Sequence, residues 1–62
     1  MKQFYIDLKN GEHVAGYELS ARSATEALTY FHFWLLGRGA EGEIISVSAR
    51  PTRGRQYLEL AL

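Results

Sequence analysis

The side chains of this 62-residue chain that could do chemistry are few, and three of them are arginines in one short segment. Arg50, Arg53 and Arg55 lie within six residues of one another. Guanidinium groups bind phosphate and carboxylate through paired hydrogen bonds, so the segment is a candidate anion-binding loop. Three charges give a modest affinity compared with the roughly six to ten phosphate contacts of a dedicated nucleic-acid binder. The alternative is a solvated turn whose charges protect a sheet edge.

The two histidines, His13 and His32, show no catalytic or metal-binding pattern. The residues four positions from His32 are Leu28 and Leu36, and the chain contains no cysteine. No serine or threonine is paired with a histidine in a nucleophile–base arrangement. The glycines around Gly37 are expected to end a helix and not to begin one, so they lack the N-terminal dipole that binds phosphate. We therefore expect no enzymatic activity, no metal and no cofactor.

Length and composition predict a single domain over residues 1–62. A chain of this size buries only about 60% of its unfolded surface and has little room for a deep catalytic cleft. Seven basic and seven acidic residues cancel, which argues against an acidic DNA mimic and against a general basic nucleic-acid binder. No signal peptide or membrane-spanning apolar segment is recognisable, so no membrane association and a cytoplasmic location are expected.

An N-terminal hairpin is predicted from alternating apolar residues on either side of Asn10-Gly11. Asn-Gly favours a type I′ turn, in which both central residues have positive φ. A loop formed by these two residues sets the strand register and places Tyr5 opposite Gly16. The pairs on the other, apolar face are then Lys2 with Leu19, Phe4 with Tyr17, Ile6 with Ala15, and Leu8 with His13.

A helix is predicted from Ser23 to about Leu36. Ser23 and Glu26 form a capping box, in which each side chain accepts from the other residue's backbone N–H. Gly37 or Gly39 can adopt the left-handed conformation that ends a helix.

Two further strands are predicted after the helix. The first covers 43–50 with Ile45, Val47 and Ala49 towards the core, and the second covers 55–62 with Leu58, Leu60 and Leu62 on one face. A turn at 51–54 separates them, because proline cannot continue a hydrogen-bonded ladder.

These elements predict a two-layer α+β domain of ββαββ order, with one helix packed on a mostly antiparallel four-stranded sheet. The favoured strand order is 2-1-3-4, with the third strand beside the first. A third strand parallel to the second, reached by a right-handed crossover, is the alternative.

The C-terminal half of the predicted helix is apolar almost all the way round. At 100° per residue, one stripe faces the sheet. Tyr30, Phe33 and Leu36 lie outside that stripe, and Phe33 points nearly opposite to it. Such residues mark a contact surface for another protein, unless loop 38–42 or the last strand folds over them. The stripe consists of Ala24, Ala27, Leu28, Phe31, Trp34 and Leu35.

The stretch from Ala21 to Leu28, together with Trp34 and the strand end Ala49-Arg50-Pro51, resembles the layout of small bacteriophage inhibitors of host RNA polymerase. The resemblance implies a non-catalytic domain that occludes a large host protein, with Arg50 contributing to the contact. The chain differs from that family in its additional fourth strand and in Ser48, where a second arginine is expected.

The sequence therefore predicts a small protein-binding module, an inhibitor or accessory protein of a phage or mobile element. Its partner is expected to be a larger protein, a second copy in a homodimer, or both. A nucleic-acid-binding module using loop 50–55 is the alternative. The predicted partner-binding residues are Tyr30, Phe33, Leu36, Arg50, Arg53 and Arg55.

Overall fold

In a computed structural model, which describes residues 1–61, one helix lies across one face of a four-stranded sheet. This arrangement confirms the predicted α+β fold. The sheet has the order β3-β1-β2-β4, in which β1 is antiparallel to both β2 and β3, and β4 is parallel to β2. The elements are β1 (Lys2–Asn10), β2 (His13–Ala21), α1 (Ala24–Arg38), β3 (Glu43–Ser48) and β4 (Tyr57–Glu59).

The predicted strand order is right for β3 and wrong for β4. β3 pairs with β1, but β4 lies at the opposite edge of the sheet, beside β2. The prediction assumed that a tight turn at 51–54 would return the chain beside β3. Instead, residues 49–56 cross the sheet face that the helix leaves free, and this brings β4 to the far edge.

The hairpin is present, but its register differs from the predicted one by two residues. Asn10 pairs with His13, so Gly11 and Glu12 form the turn, and only Gly11 has a positive φ, of 64°. A glycine at the first central position is typical of a type II′ turn. Asn10 remains in β1 and its Nδ2 donates to the Glu41 carbonyl at 3.1 Å.

A shift of two residues changes every cross-strand pair of the hairpin but keeps each side chain on its predicted face. The apolar residues of both strands therefore still face the helix. The observed pairs are Lys2 with Ala21, Phe4 with Leu19, Ile6 with Tyr17, and Leu8 with Ala15.

The core lies between this sheet face and α1. Tyr17 packs against both Phe31 and Trp34, with ring centroids 5.1 Å apart in each pair, and the Arg38 guanidinium lies 4.6 Å from the Trp34 ring centre. Ala24 is exposed, in contrast to the rest of the predicted stripe. The buried apolar residues are Phe4, Ile6, Leu8, Leu19, Ala21, Ala27, Phe31, Leu35 and Leu60.

The two C-terminal strands are shorter than predicted, and their facing residues differ. β3 ends at Ser48, so Ala49 lies outside it and is exposed. A register shift opposite Asp7 and Leu8 turns Ile44 and Val47 towards the core and leaves Ile45 exposed. A bulge of this kind interrupts simple alternation, which is why the period-2 prediction failed for Ile45.

The last strand ends before the predicted boundary. Leu58 is exposed at the sheet edge, whereas Leu60, beyond the end of β4, is buried in the core. Leu62 lies outside the described residues.

Both ends of α1 are capped. The Ser23 hydroxyl accepts from the Glu26 N–H at 3.2 Å, as predicted, but the Glu26 carboxylate accepts from the Arg22 N–H and not from that of Ser23. At the other end Gly39 adopts the left-handed conformation, and its N–H and that of Ala40 donate to carbonyls of the last helical turn. This is a Schellman motif.

Replacing Ser23 with alanine should lower the free energy of unfolding by about 1 kcal/mol, because the Glu26 N–H loses its acceptor. Urea unfolding measures the change. Ser23→Asp is the matched control, since an aspartate also caps a helix and should keep most of the stability. Equal midpoints for the alanine variant and the parent would show that the cap contributes nothing.

Candidate functional site

The outer helix face, which we define as Tyr30, Phe33 and Leu36, is an exposed apolar surface. Phe33 is 65% exposed, Leu36 62% and Tyr30 39%. These three residues leave α1 on the side away from the sheet, because Phe31 and Leu35 occupy the side that faces it. Neither the segment after the helix nor β4 covers them, so the uncovered arrangement predicted from the sequence is the one observed.

Leaving this surface in water is costly for a small domain. Burial of one large apolar side chain is worth about 1.5–3 kcal/mol, and contiguous exposed apolar patches usually mark interaction sites. Among the described residues a two-layer fold offers no third layer to cover the outside of α1. This face is therefore the candidate contact surface of the domain.

The opposite face of the sheet carries a buried polar group, the Asp7 cluster, formed by Asp7, Ser46, Thr52, Arg55 and Tyr57. Asp7 is buried, and its side chain is only 8% exposed. It accepts hydrogen bonds from the hydroxyls of Ser46 at 2.7 Å, Tyr57 at 3.0 Å and Thr52 at 3.2 Å. Arg55 Nη1 lies 3.7 Å from Asp7 Oδ1. The cluster thereby joins β1, β3, the 49–56 segment and β4.

The environment of Asp7 lowers the pKa of its carboxyl group. Burial alone raises this pKa, since it disfavours the charged form. Four interactions that favour the charged form lower the pKa by more than burial raises it. They are the hydrogen bonds from Ser46 and Tyr57, the charge of Arg55 and the hydrogen bond from Thr52. Asp7 is therefore ionised in the fold, and its charge acts on groups within the protein.

A close backbone approach accompanies the cluster. Gly16 pairs with Asp7 across the hairpin, and the Tyr57 ring and the Gln56 carbonyl lie directly over it. A Cβ at Gly16 would come within 2.6 Å of the Gln56 oxygen. The prediction that Tyr5 lies opposite Gly16 is wrong, because Asp7 pairs with Gly16, and Tyr5 instead forms a T-shaped contact with the Tyr57 ring.

The three arginines do not form one free cationic loop, contrary to the prediction. Arg50 and Arg53 are exposed. Arg55 turns inwards to Asp7, and its side chain is 28% exposed. The predicted loop is therefore partly structural, because one of its charges balances the buried carboxylate.

His13 and His32 are both exposed. Within residues 1–61 no three histidine, aspartate or glutamate side chains form a group that could hold a metal ion. No helix in this part of the chain has the length and apolar character needed to cross a membrane.

The Asp7 cluster was missed in the sequence because its members are scattered. Asp7 and Tyr57 lie 50 residues apart. The sequence contains one signal that could have indicated the cluster. Asp7 is the only aspartate of the chain, and it lies in the middle of a strand that was predicted from alternating apolar residues.

Comparison with known protein families, with curated proteins and with solved structures gave no significant match.

Asp7 is the only aspartate of the chain, so the chain has one aspartate side-chain carboxyl signal. The titration of Asp7 can therefore be followed directly by ¹³C NMR. The midpoint should lie below the ordinary value of 3.8, because the folded-state pKa is lowered. Ionised Asp7 stabilises the fold above pH 3.8, and this contribution is lost as pH falls through the lower folded-state pKa. A midpoint at or above 3.8 would contradict the hydrogen-bond assignment.

Asp7→Asn should lower the free energy of unfolding by about 1–3 kcal/mol at neutral pH, because the hydroxyl donors and Arg55 lose a charged acceptor. Denaturant unfolding gives the value. Glu12→Gln, at an exposed turn position, removes the same charge and should have little effect. Equal losses in the two variants would mean that net charge, and not the cluster, matters.

Gly16→Ala should destabilise the protein by about 1–3 kcal/mol, since the added methyl group collides with the backbone of Gln56. Gly37→Ala is the matched control: no atom lies within 4 Å of its added Cβ, so it should be neutral or stabilising. Thermal unfolding of both variants measures the difference. A Gly16→Ala variant that is as stable as the parent would show that residues 54–57 do not lie against β2.

Proposed function

We propose that this protein is a non-catalytic protein-binding module that acts through its outer helix face. The observation that carries the proposal is the exposure of Phe33, Leu36 and Tyr30 on one side of α1. Aromatic and large aliphatic side chains of this kind form the centres of protein interfaces, surrounded by polar residues.

The occupant we propose for this face is a second copy of the chain. A twofold axis near Phe33 would bring the same residue from both copies together, as isologous dimers require. The net charge of zero means that two copies meet without overall electrostatic repulsion. A second copy is also present wherever the protein itself is present.

The three side chains form only the centre of such an interface. At their observed exposure they supply roughly 300 Å² of apolar surface, compared with about 800 Å² per partner in a typical stable interface. Neighbouring polar positions on α1 would form the rim. The same apolar centre also suits a larger protein, which the domain would inhibit by occlusion, as its resemblance to phage inhibitors implies.

Phe33→Glu should shift the protein from dimer to monomer in sedimentation velocity at micromolar to high micromolar concentration, because a carboxylate cannot be buried unpaired in an apolar interface. Thr25→Glu adds the same charge at an exposed position two helical turns earlier and should leave the dimer intact. Circular dichroism checks that both variants remain folded.

Two results would contradict self-association through this face. A parent that stays monomeric at high micromolar concentration would leave a larger protein as the only occupant compatible with the proposal. A Phe33→Glu variant that stays dimeric would place the interface elsewhere on the domain.

A further inference from the structure

A groove of about 600 Å³ runs along the sheet edge where β4 begins. Val14 and Gly16 of β2 line one side, and Arg55, Tyr57 and Leu58 line the other. Val14 and Gly16 belong to the face opposite the helix, whereas Leu58 pairs with Tyr17 on the helix face. Since both faces contribute, the groove follows the edge of the sheet.

Part of the backbone along this groove is open. β4 pairs with β2 only from Gly16 to Glu18, so within residues 1–61 the preceding residues of β2 have no strand on that side. The Leu60 N–H donates to the Glu18 carbonyl, which shows that Glu18 directs its backbone groups to this edge. Because backbone groups alternate along a strand, the N–H and C=O of Val14 point the same way, into the groove.

In the described part of the chain, the charged residue that lines the groove is basic. It is Arg55, and no acidic residue is among the lining residues. The buried Arg55 Nη1 lies 3.7 Å from Asp7 Oδ1, whereas the remainder of the side chain, which is 28% exposed, borders the groove. Arg53 does not line the groove, but it is exposed and directly precedes Gly54, which does.

We infer that this groove binds an extended acidic peptide segment, which adds to β2 in line with β4. The peptide backbone would exchange hydrogen bonds with Val14, and its carboxylates would face Arg53 and Arg55. Exposed Leu58 would contact an apolar side chain of the peptide. This is recognition by strand addition, in which the main chain supplies affinity and the side-chain contacts supply specificity.

Nucleic acid suits the same site less well. Binding of single strands depends on exposed aromatic rings on which bases stack. The Tyr57 ring instead packs over Gly16 and contacts Tyr5. The site also does not depend on the outer helix face, so the two surfaces can be tested separately.

The test is an NMR titration of the ¹⁵N-labelled full chain with a blocked six-residue peptide of alternating valine and glutamate. The largest amide shifts are expected at Val14, Gly16 and Arg53. A peptide with lysine in place of glutamate should bind at least about tenfold more weakly, because its charges are repelled. A peptide N-methylated at alternate residues should lose affinity to the same degree, because it cannot form the strand ladder.

Two variants probe the site from the protein side. Val14→Pro removes the backbone N–H at the strand edge, and Arg53→Gln removes the charge beside the groove. Each variant should bind the peptide several-fold more weakly. The chemical shifts of the outer helix face should be the same in each variant as in the parent protein. If Val14→Pro fails to fold, the N-methylated peptide tests the same hydrogen bonds on the parent protein. Unchanged binding after N-methylation, no shifts at millimolar peptide, or tighter binding of oligothymidylate at these residues would each overturn the inference.

Discussion

One buried carboxylate determines where the C-terminal part of this fold lies. An ionised group is stable in a protein interior only when hydrogen bonds and an opposite charge replace its water. Asp7 obtains these from Ser46 on β3, from Thr52 and Arg55 in the following segment, and from Tyr57 on β4. Satisfying Asp7 therefore draws residues 49–56 across the sheet and brings β4 to the edge of β2, where Leu60 can enter the core.

This arrangement gives the two sides of the domain different roles. The middle of the sheet face opposite the helix, around Asp7 and Gly16, is covered by the chain's own C-terminal segment, which hydrogen-bonds to the Asp7 carboxylate. The outside of α1 receives no such cover from the described residues. Phe33 and Leu36 are exposed there, and our proposal of a protein contact depends on that exposure. The segment fixed by Asp7 leaves a short length of β2 edge open beside Arg55.

The features predictable from the sequence were those that depend on local periodicity. The faces of the two hairpin strands were predicted although their register was not, because a two-residue shift preserves alternation. The Ser23 cap depends on residues only three positions apart. The exposure of Phe33 followed from helical geometry alone.

The features that failed depend on distant contacts. Asn10 is held in β1 by Glu41, 31 residues away, so the turn begins at Gly11 and not at the Asn-Gly pair. The inward turn of Arg55 and the position of β4 both require Asp7, about 50 residues earlier in the chain. Neither short motifs nor hydrophobic alternation contains that information.

We propose that the outer helix face of this protein binds a second copy of the chain. Isotope-filtered NOE spectroscopy on a mixture of ¹³C-labelled and unlabelled chains tests this contact, because it detects only contacts between different molecules. We expect intermolecular contacts from the Phe33 ring to Phe33, Leu36 and Tyr30 of the second copy. Intermolecular contacts confined to β3 or to the Leu58 edge would contradict it.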